Sequence, residues 1–259
     1  MPEGDTVARA AARLRPVLVG QVLLDVAGTA PQVRRHAARI RRHRVEGVRT
    51  VGKHLVVDVV GGWSVHVHLG MPGRWVVRPE GPAPGRARLA LTTARGVVAC
   101  LDAPTISVDR TPAIDRVLGL LGPDVLAPDF DPAEVAARAV VRADRFLCDV
   151  LLDQRVMAGV GNEYKAEILF RLGLHPLTPA GALGRDDWIA VASTASRLVS
   201  ANVDRPTRST TGHPGTGRDT WVYGRAGKPC RRCAGLVEEA WLGSPPRVTA
   251  WCPTCQPRR

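Results

Sequence analysis

Lysine is nearly missing from this chain. Among 36 basic residues in 259, only Lys53, Lys165 and Lys228 are lysines, which leaves 33 arginines. A GC-rich coding bias accounts for the swap and makes a surviving lysine worth inspecting. Lysine offers a compact ammonium that can lose its proton, which a guanidinium cannot. Lys53, the only lysine in the first 164 residues, is therefore a candidate for chemistry, with a chance surface lysine as the plainer reading. Aromatics are scarce at 4%, so aliphatic and alanine packing must carry the core. Long apolar runs are absent, and none approaches the roughly 18 residues that span a bilayer. The opening Met-Pro-Glu-Gly-Asp has no apolar stretch, so no signal peptide is expected and the protein is read as soluble and cytoplasmic. Acidic residues are outnumbered 24 to 36, a formal net charge of +12. That excess suits a polyanionic partner, nucleic acid foremost.

What is present divides by pattern. Residues 5–19 read as a helix with Asp5 as N-cap and Val7, Ala11, Leu14 and Leu18 on one face. Strand-like runs follow at 22–26, 45–51, 54–60, 63–69, 75–78, 88–92 and 97–101, with Gly61-Gly62 as a two-residue hairpin signal. Short strands without intervening helices predict an antiparallel sandwich or barrel. Near residue 112 the pattern turns helical, with helices expected at 117–121, 132–141, 145–154, 163–171 and 186–202. The expected layout is a β domain (1–112), a helical domain (113–208), a mobile Gly-rich loop (209–220) and a cysteine module (221–259). The run Arg34–Arg44 holds six arginines and two histidines and is assigned no site.

The module carries Cys230-Arg-Arg-Cys233 and, 18 residues later, Cys252-Pro-Thr-Cys255. Two CxxC knuckles at this spacing predict a tetrahedral four-thiolate site for one structural Zn2+, with no position open for water. The intervening Leu236, Val237, Val248 and Ala250 read as two arms of a hairpin that presents Arg247. Arginines on a metal-stapled hairpin suit a DNA groove. Cys100 and Cys148 lie in apolar segments and read as reduced core residues.

At the other end, removal of Met1 would make Pro2 the N-terminus. Its amine, with a pKa of about 7.7–8.0, keeps a usable neutral fraction near neutrality and can attack an aldehyde-like carbon. The following helix start would disfavour the ammonium further. Glu3 is a candidate proton carrier beside it. The plainer reading is that Pro2 and Glu3 only begin a helix.

Met-Pro-Glu-Gly, Gly52-Lys53-His54-Leu55, Leu69-Gly-Met71-Pro-Gly73, Gly122-Pro-Asp124, Gly159-Val-Gly161-Asn162-Glu-Tyr, Trp221-Val-Tyr-Gly-Arg225 and the two CxxC knuckles occur in this order. Together they resemble the formamidopyrimidine-DNA glycosylase and endonuclease VIII family across essentially the whole chain. The resemblance implies an α+β protein. An N-terminal antiparallel β-sandwich with a leading helix would be followed by a helix-two-turns-helix domain with a β-hairpin zinc finger. It implies a bifunctional DNA glycosylase and lyase acting as a monomer on damaged DNA, whether double-stranded, bubble or single-stranded. Pro2 would be the nucleophile, Glu3 the proton carrier, and Lys53 a DNA contact that assists elimination. Arg247 would hold a phosphate beside the lesion. Asn162, otherwise a simple helix cap, would bind phosphate at a helix N-terminus. Met71, otherwise a core methionine, would fill the gap left by a flipped base. His66 and His68 share a strand face and, with no third ligand evident, read as a packing or DNA-facing pair.

Thr6 departs from the family pattern, standing where many members carry a glutamate. Residues 105–109 lack the aromatic-and-arginine loop of the oxidised-purine branch. The motifs favour the endonuclease VIII branch and oxidised pyrimidines. A non-catalytic binder of damaged DNA on the same scaffold is the alternative.

Overall fold

The computed structural model describes residues 2–258; Met1 and Arg259 lie outside the described residues. Two compact units divide the chain between Leu120 and Leu121. No described helix is long and apolar enough to cross a membrane.

The first unit runs α1 (Gly4–Leu18), β1 (Asp25–Ala27), α2 (Pro31–Ile40), β2 (Val45–Val51), β3 (His54–Val59), β4 (Trp63–His68), β5 (Arg74–Arg78), β6 (Leu89–Thr93), β7 (Gly96–Leu101), β8 (Thr105–Arg110) and α3 (Thr111–Leu118). Its strands form two antiparallel four-stranded sheets, ordered β1-β6-β7-β5 and β2-β3-β4-β8. Alternate residues of both sheets meet in one core: Leu55, Val57, Val65 and Val67 from one, Leu89, Leu91, Val98 and Cys100 from the other. Val7, Ala11, Leu14 and Leu18 of α1 join them, as the helical spacing predicts.

Several boundaries differ from the sequence expectation. Asp5 lies inside α1, and Glu3 occupies the N-cap position. Val22 makes only an isolated bridge to Arg44, and the first strand begins at Asp25. Val59 pairs with Trp63, so the Gly61-Gly62 connection has three residues rather than two. The strand β8 escaped the pattern because only Ile106 and Val108 in it are apolar. The helix expected at 117–121 begins at Thr111 and buries Ile114 and Leu118 in the first unit, so the compact units part after the compositional change.

The other face of the β2-β3-β4-β8 sheet is polar. Asp58 accepts from Arg49 (2.8 Å) and Ser64 (2.7 Å), and Arg49 also reaches Asp115 (2.6 Å). Along the same face His54 pairs with His68 and Val56 with His66 in register. His54 Nδ1 lies 2.8 Å from His66 Nε2, and the His54 and His68 ring centroids are 4.8 Å apart. His66 and His68 thus belong to a packed group of three. Burial, then the neighbouring His68, His66 and Lys53, push His54 down to about 3. Burial, then His68 and Arg49, push His66 down to about 4.

The second unit contains α4 (Pro132–Val140), α5 (Leu147–Val150), α6 (Asn162–Leu172), α7 (Arg185–Ser200), β9 (Glu238–Leu242) and β10 (Arg247–Trp251). The helix expected over 145–154 is a single turn, α5. Side chains divert the chain after it: Asp153 accepts from the backbone N–H of Arg155 (3.0 Å). Gln154 donates to the carbonyls of Leu152 (2.9 Å) and Val160 (3.0 Å) and accepts from the Gly159 N–H (3.1 Å). These bonds stabilise two tight turns between α5 and α6. Tyr164, Ile168 and Leu169 of α6 pack in the helical core with Trp188 and Val191. Ala166 and Phe170 pack instead with Val222, Val237, Ala250 and Cys252 of the cysteine module.

The carboxylate of Glu167, fully buried, fastens the segment before the module. It accepts from the backbone N–H groups of Trp221 (2.8 Å), Val222 (2.9 Å) and Tyr223 (2.9 Å) and from the Thr210 hydroxyl. The stretch expected to be a mobile loop is anchored at both ends. Asn202 donates to Ser209 O (3.0 Å) and accepts from Ser209 N–H (2.7 Å), and Thr210 N–H donates to Asp219 O (2.8 Å).

Two outcomes follow for stability. Glu167→Ala leaves several buried N–H donors unsatisfied, each worth about 1–3 kcal/mol, so the second unit should lose at least about 3 kcal/mol in urea unfolding. A loss under about 1 kcal/mol would contradict the anchoring role. For the histidines, the unfolded chain takes up protons near pH 6.5 and the folded chain only near 3–4. Between those values the unfolded state binds more protons, so stability falls as pH falls. The slope should reach at most about 1.4 kcal/mol per pH unit for each histidine, less after solvent screening. His66→Gln should flatten it, read by urea unfolding at pH 7, 6 and 5.

Candidate nucleic-acid interface and metal centre

The first unit holds Pro2, Glu3, Lys53 and Met71. Pro2 is half-buried and precedes α1 by one residue, Glu3, whose side chain is fully buried. Asp5 is fully buried as well and pairs with Arg9 at 3.1 Å. Thr6, at the departing position, donates to Asp5 (3.4 Å) and accepts from Arg9 (3.4 Å). The carboxylate nearest that position in sequence is thus Asp5.

Lys53 sits at the tip of the β2–β3 hairpin, in the two-residue turn between the paired Val51 and His54. Gly52 has φ +56, the left-handed conformation that the first central residue of such a turn requires. Met71 is 69% exposed, which sets aside the core reading. Its loop is closed by Gly73 N–H donating to Leu69 O at 2.9 Å. A Cβ at Gly73 would lie 2.2 Å from that oxygen, so the motif needs glycine there.

The second unit holds Asn162, Arg247 and the four cysteines. Asn162 is the first residue of α6, after the N-cap Gly161. Its side chain is nearly buried: Nδ2 donates to Val248 O (2.7 Å), and Oδ1 accepts from Lys165 Nζ (2.8 Å). Arg247 opens β10, paired with Leu242, and is exposed. The hairpin tip is tied down by Ser244 N–H donating to Asp149 (2.8 Å). A cavity beside it is lined by Arg145, Asp149, Asp153, Arg155 and Arg247. Burial opposes ionisation of Asp153, but hydrogen bonds from Arg155 and Arg142 outweigh it and hold the group well below the usual carboxylate range. Sequence reading missed Arg145, Arg155, Lys165, Thr249 and His54. For Lys165 a signal existed, since it is one of three lysines. For the others, only the turns and strand register create the proximity.

The sulfur atoms of Cys230, Cys233, Cys252 and Cys255 all lie within 4.8 Å of one another. Cys230 and Cys255 are 3.9 Å apart, and Cys233 and Cys252 3.5 Å. Disulfides are far shorter, about 2.05 Å. Four thiolates at about 2.3 Å from one metal ion define a tetrahedron with edges of roughly 3.8 Å, so the set fits. The Gly235 backbone N–H leads the causes that bring Cys233 down to about 7. Burial, then its thiol neighbours, push Cys255 up to about 12. Four cysteine sulfurs this close could hold one metal ion, which would draw off their protons on binding.

Comparisons agree with this geometry. The family model described as the formamidopyrimidine-DNA glycosylase N-terminal domain matches residues 1–105, and the H2TH domain of the same glycosylase matches 121–212. A protein of Streptomyces coelicolor named probable endonuclease 8 2 is 42% identical over 99% of this chain and 94% of its own length. A protein of Mycolicibacterium smegmatis named DNA-(apurinic or apyrimidinic site) lyase Nei2 is 42% identical over 99% of both. The solved MutM (Fpg) protein of Thermus thermophilus superposes with a TM-score of 0.83 at 31% identity, covering all of both chains. On sequence and fold alike, the chain belongs to the formamidopyrimidine-DNA glycosylase and endonuclease VIII family.

Proposed function

We propose that this protein is a bifunctional DNA glycosylase and apurinic/apyrimidinic-site lyase that removes oxidised pyrimidines from DNA through an N-terminal proline. The observation that carries the reading is the placement of Pro2 and a fully buried Glu3 at the head of α1 in a chain of this family. With Met1 removed, the Pro2 nitrogen bonds to C1′ of the damaged nucleotide and the base departs. Glu3 supplies the proton that opens the sugar ring. The resulting iminium acidifies the C2′ proton, and its removal expels the 3′ phosphate. A second elimination expels the 5′ phosphate. The positive end of α1 disfavours the Pro2 ammonium and raises the fraction of amine ready to attack.

Lys53 and Arg247 contact the phosphates flanking the lesion and assist these eliminations. Asn162 anchors a phosphate at the N-terminus of α6, and Met71, already exposed, enters the gap left by the flipped base. Cys230, Cys233, Cys252 and Cys255 hold one Zn2+, whose role is to fix the shape of the hairpin. The endonuclease VIII branch is favoured by the names of the two relatives at 42% identity. Double-stranded damaged DNA and a monomeric enzyme are the working expectation.

Borohydride trapping on abasic-site DNA tests the nucleophile. The parent should form a covalent complex, and Pro2→Gly should lower trapping more than about tenfold while binding persists. Full activity in a protein shown by mass to retain an N-terminal tag would refute the assignment. The metal centre is tested by two variants on one substrate. Cys252→Ser should lose zinc and DNA binding together, because small metal sites rarely fold without their ion. Arg247→Ala should lose binding with zinc content unchanged. A Cys252→Ser protein that lacks zinc yet binds and cuts like the parent would remove the module from the DNA site.

A further inference from the structure

Lys165 is fully buried on α6, an uncommon place for a lysine. Its Nζ donates to Asn162 Oδ1 at 2.8 Å and to Thr249 Oγ1 at 2.6 Å. Thr249 Oγ1 in turn donates to Arg247 O at 3.1 Å. Asn162 Nδ2 donates to Val248 O at 2.7 Å. Lys165 and Asn162 together therefore tie the start of α6 to Thr249 and Val248 of β10, and Thr249 extends the network to the backbone of Arg247.

The direction of these bonds matters. An ammonium has three donors and no acceptor, so it can face only the oxygen of the Asn162 amide. That fixes which way the amide lies, with NH2 on the opposite side. One Nδ2 hydrogen is used on Val248 O. The other meets no acceptor among the described residues, and Asn162 keeps 8% of its surface exposed at the helix N-terminus. The Val248 carbonyl requires the same orientation, so the amide is held from both sides; an acceptor at residue 165 would set two oxygens against each other and unseat it. A guanidinium is bulkier and spreads its donors over a planar fork, so it does not replace a point charge between two acceptors. This chain uses arginine at 33 of its 36 basic positions, and retains lysine here.

We infer that Lys165 is a positioning residue for DNA binding: it sets the amide of Asn162 with its donor outward and locks that donor in register with Arg247. It touches no DNA itself. The inference rests on the reading of Asn162 and Arg247 as phosphate contacts.

The test uses the full-length zinc-loaded protein and a duplex carrying a reduced, uncleavable abasic site. Asn162→Ala should weaken binding about tenfold, the loss of one hydrogen bond to a charged group. Lys165→Met should weaken it to a similar degree, and the double variant should be no weaker than either single one. With cleavable abasic DNA the loss should appear in KM, with kcat retained. A lysine that merely supports the fold would give losses that multiply in the double variant and a lowered kcat, which would overturn the inference. Asn162→Ala binding like the parent would overturn the phosphate reading of Asn162 itself. Asn162→Ala weakened with Lys165→Met unchanged would overturn the role of Lys165 alone. If Lys165→Met fails to hold zinc, Thr249→Val and Thr249→Ser decide. The valine should weaken binding, and the serine, which restores the hydroxyl, should match the parent. Parent-like binding by Thr249→Val would refute the network.

Discussion

The second unit depends on the burial of α6. Eight of its residues are buried, among them three that carry polar side chains usually found at surfaces: Asn162, Lys165 and Glu167. An interior tolerates such groups only when each is hydrogen-bonded. Each bond made for that reason also fixes a neighbouring segment. Glu167 fixes Thr210 and the backbone of Trp221–Tyr223. Lys165 and Asn162 fix β10. Buried polar groups on α6 thus join the helical core to the cysteine module alongside the apolar contacts of Ala166 and Phe170.

The first unit meets the same requirement differently. Its sandwich core is aliphatic, and apart from buried groups such as Glu3 and Asp5 at the head of α1 its connected polar side chains lie on the outer face of one sheet. There Arg49, Asp58, Ser64 and Asp115 form a connected set, and three histidines stack beside Lys53. Burial, aided by the neighbouring Lys53 and Arg49, lowers all three and favours their neutral form at physiological pH.

The two asparagines of the chain show how scarcity and role relate. Both are buried, and both use the amide as donor and acceptor at once. Asn202 ties α7 to the start of the following loop. Asn162 ties α6 to β10. Neither aspartate nor serine provides both functions from one planar group.

The sequence by itself determined the family, the sandwich, the helical unit, the cysteine site and the identity of Pro2, Glu3, Lys53, Met71, Asn162 and Arg247 as candidates. Periodicity, CxxC spacing and ordered motifs are local signals, so they are legible without a fold. Tertiary structure alone decided that the helix expected over 145–154 is one turn, because Asp153 and Gln154 spend their side chains on nearby backbone groups rather than leaving the helix to continue. It decided that His54 completes a group with His66 and His68, because strand register brings residues far apart in sequence opposite one another. It also decided that Lys165 is buried against Asn162 and Thr249. A lysine on a helix reads as solvated until the opposite face is covered too, and only the docking of a distant hairpin covers it.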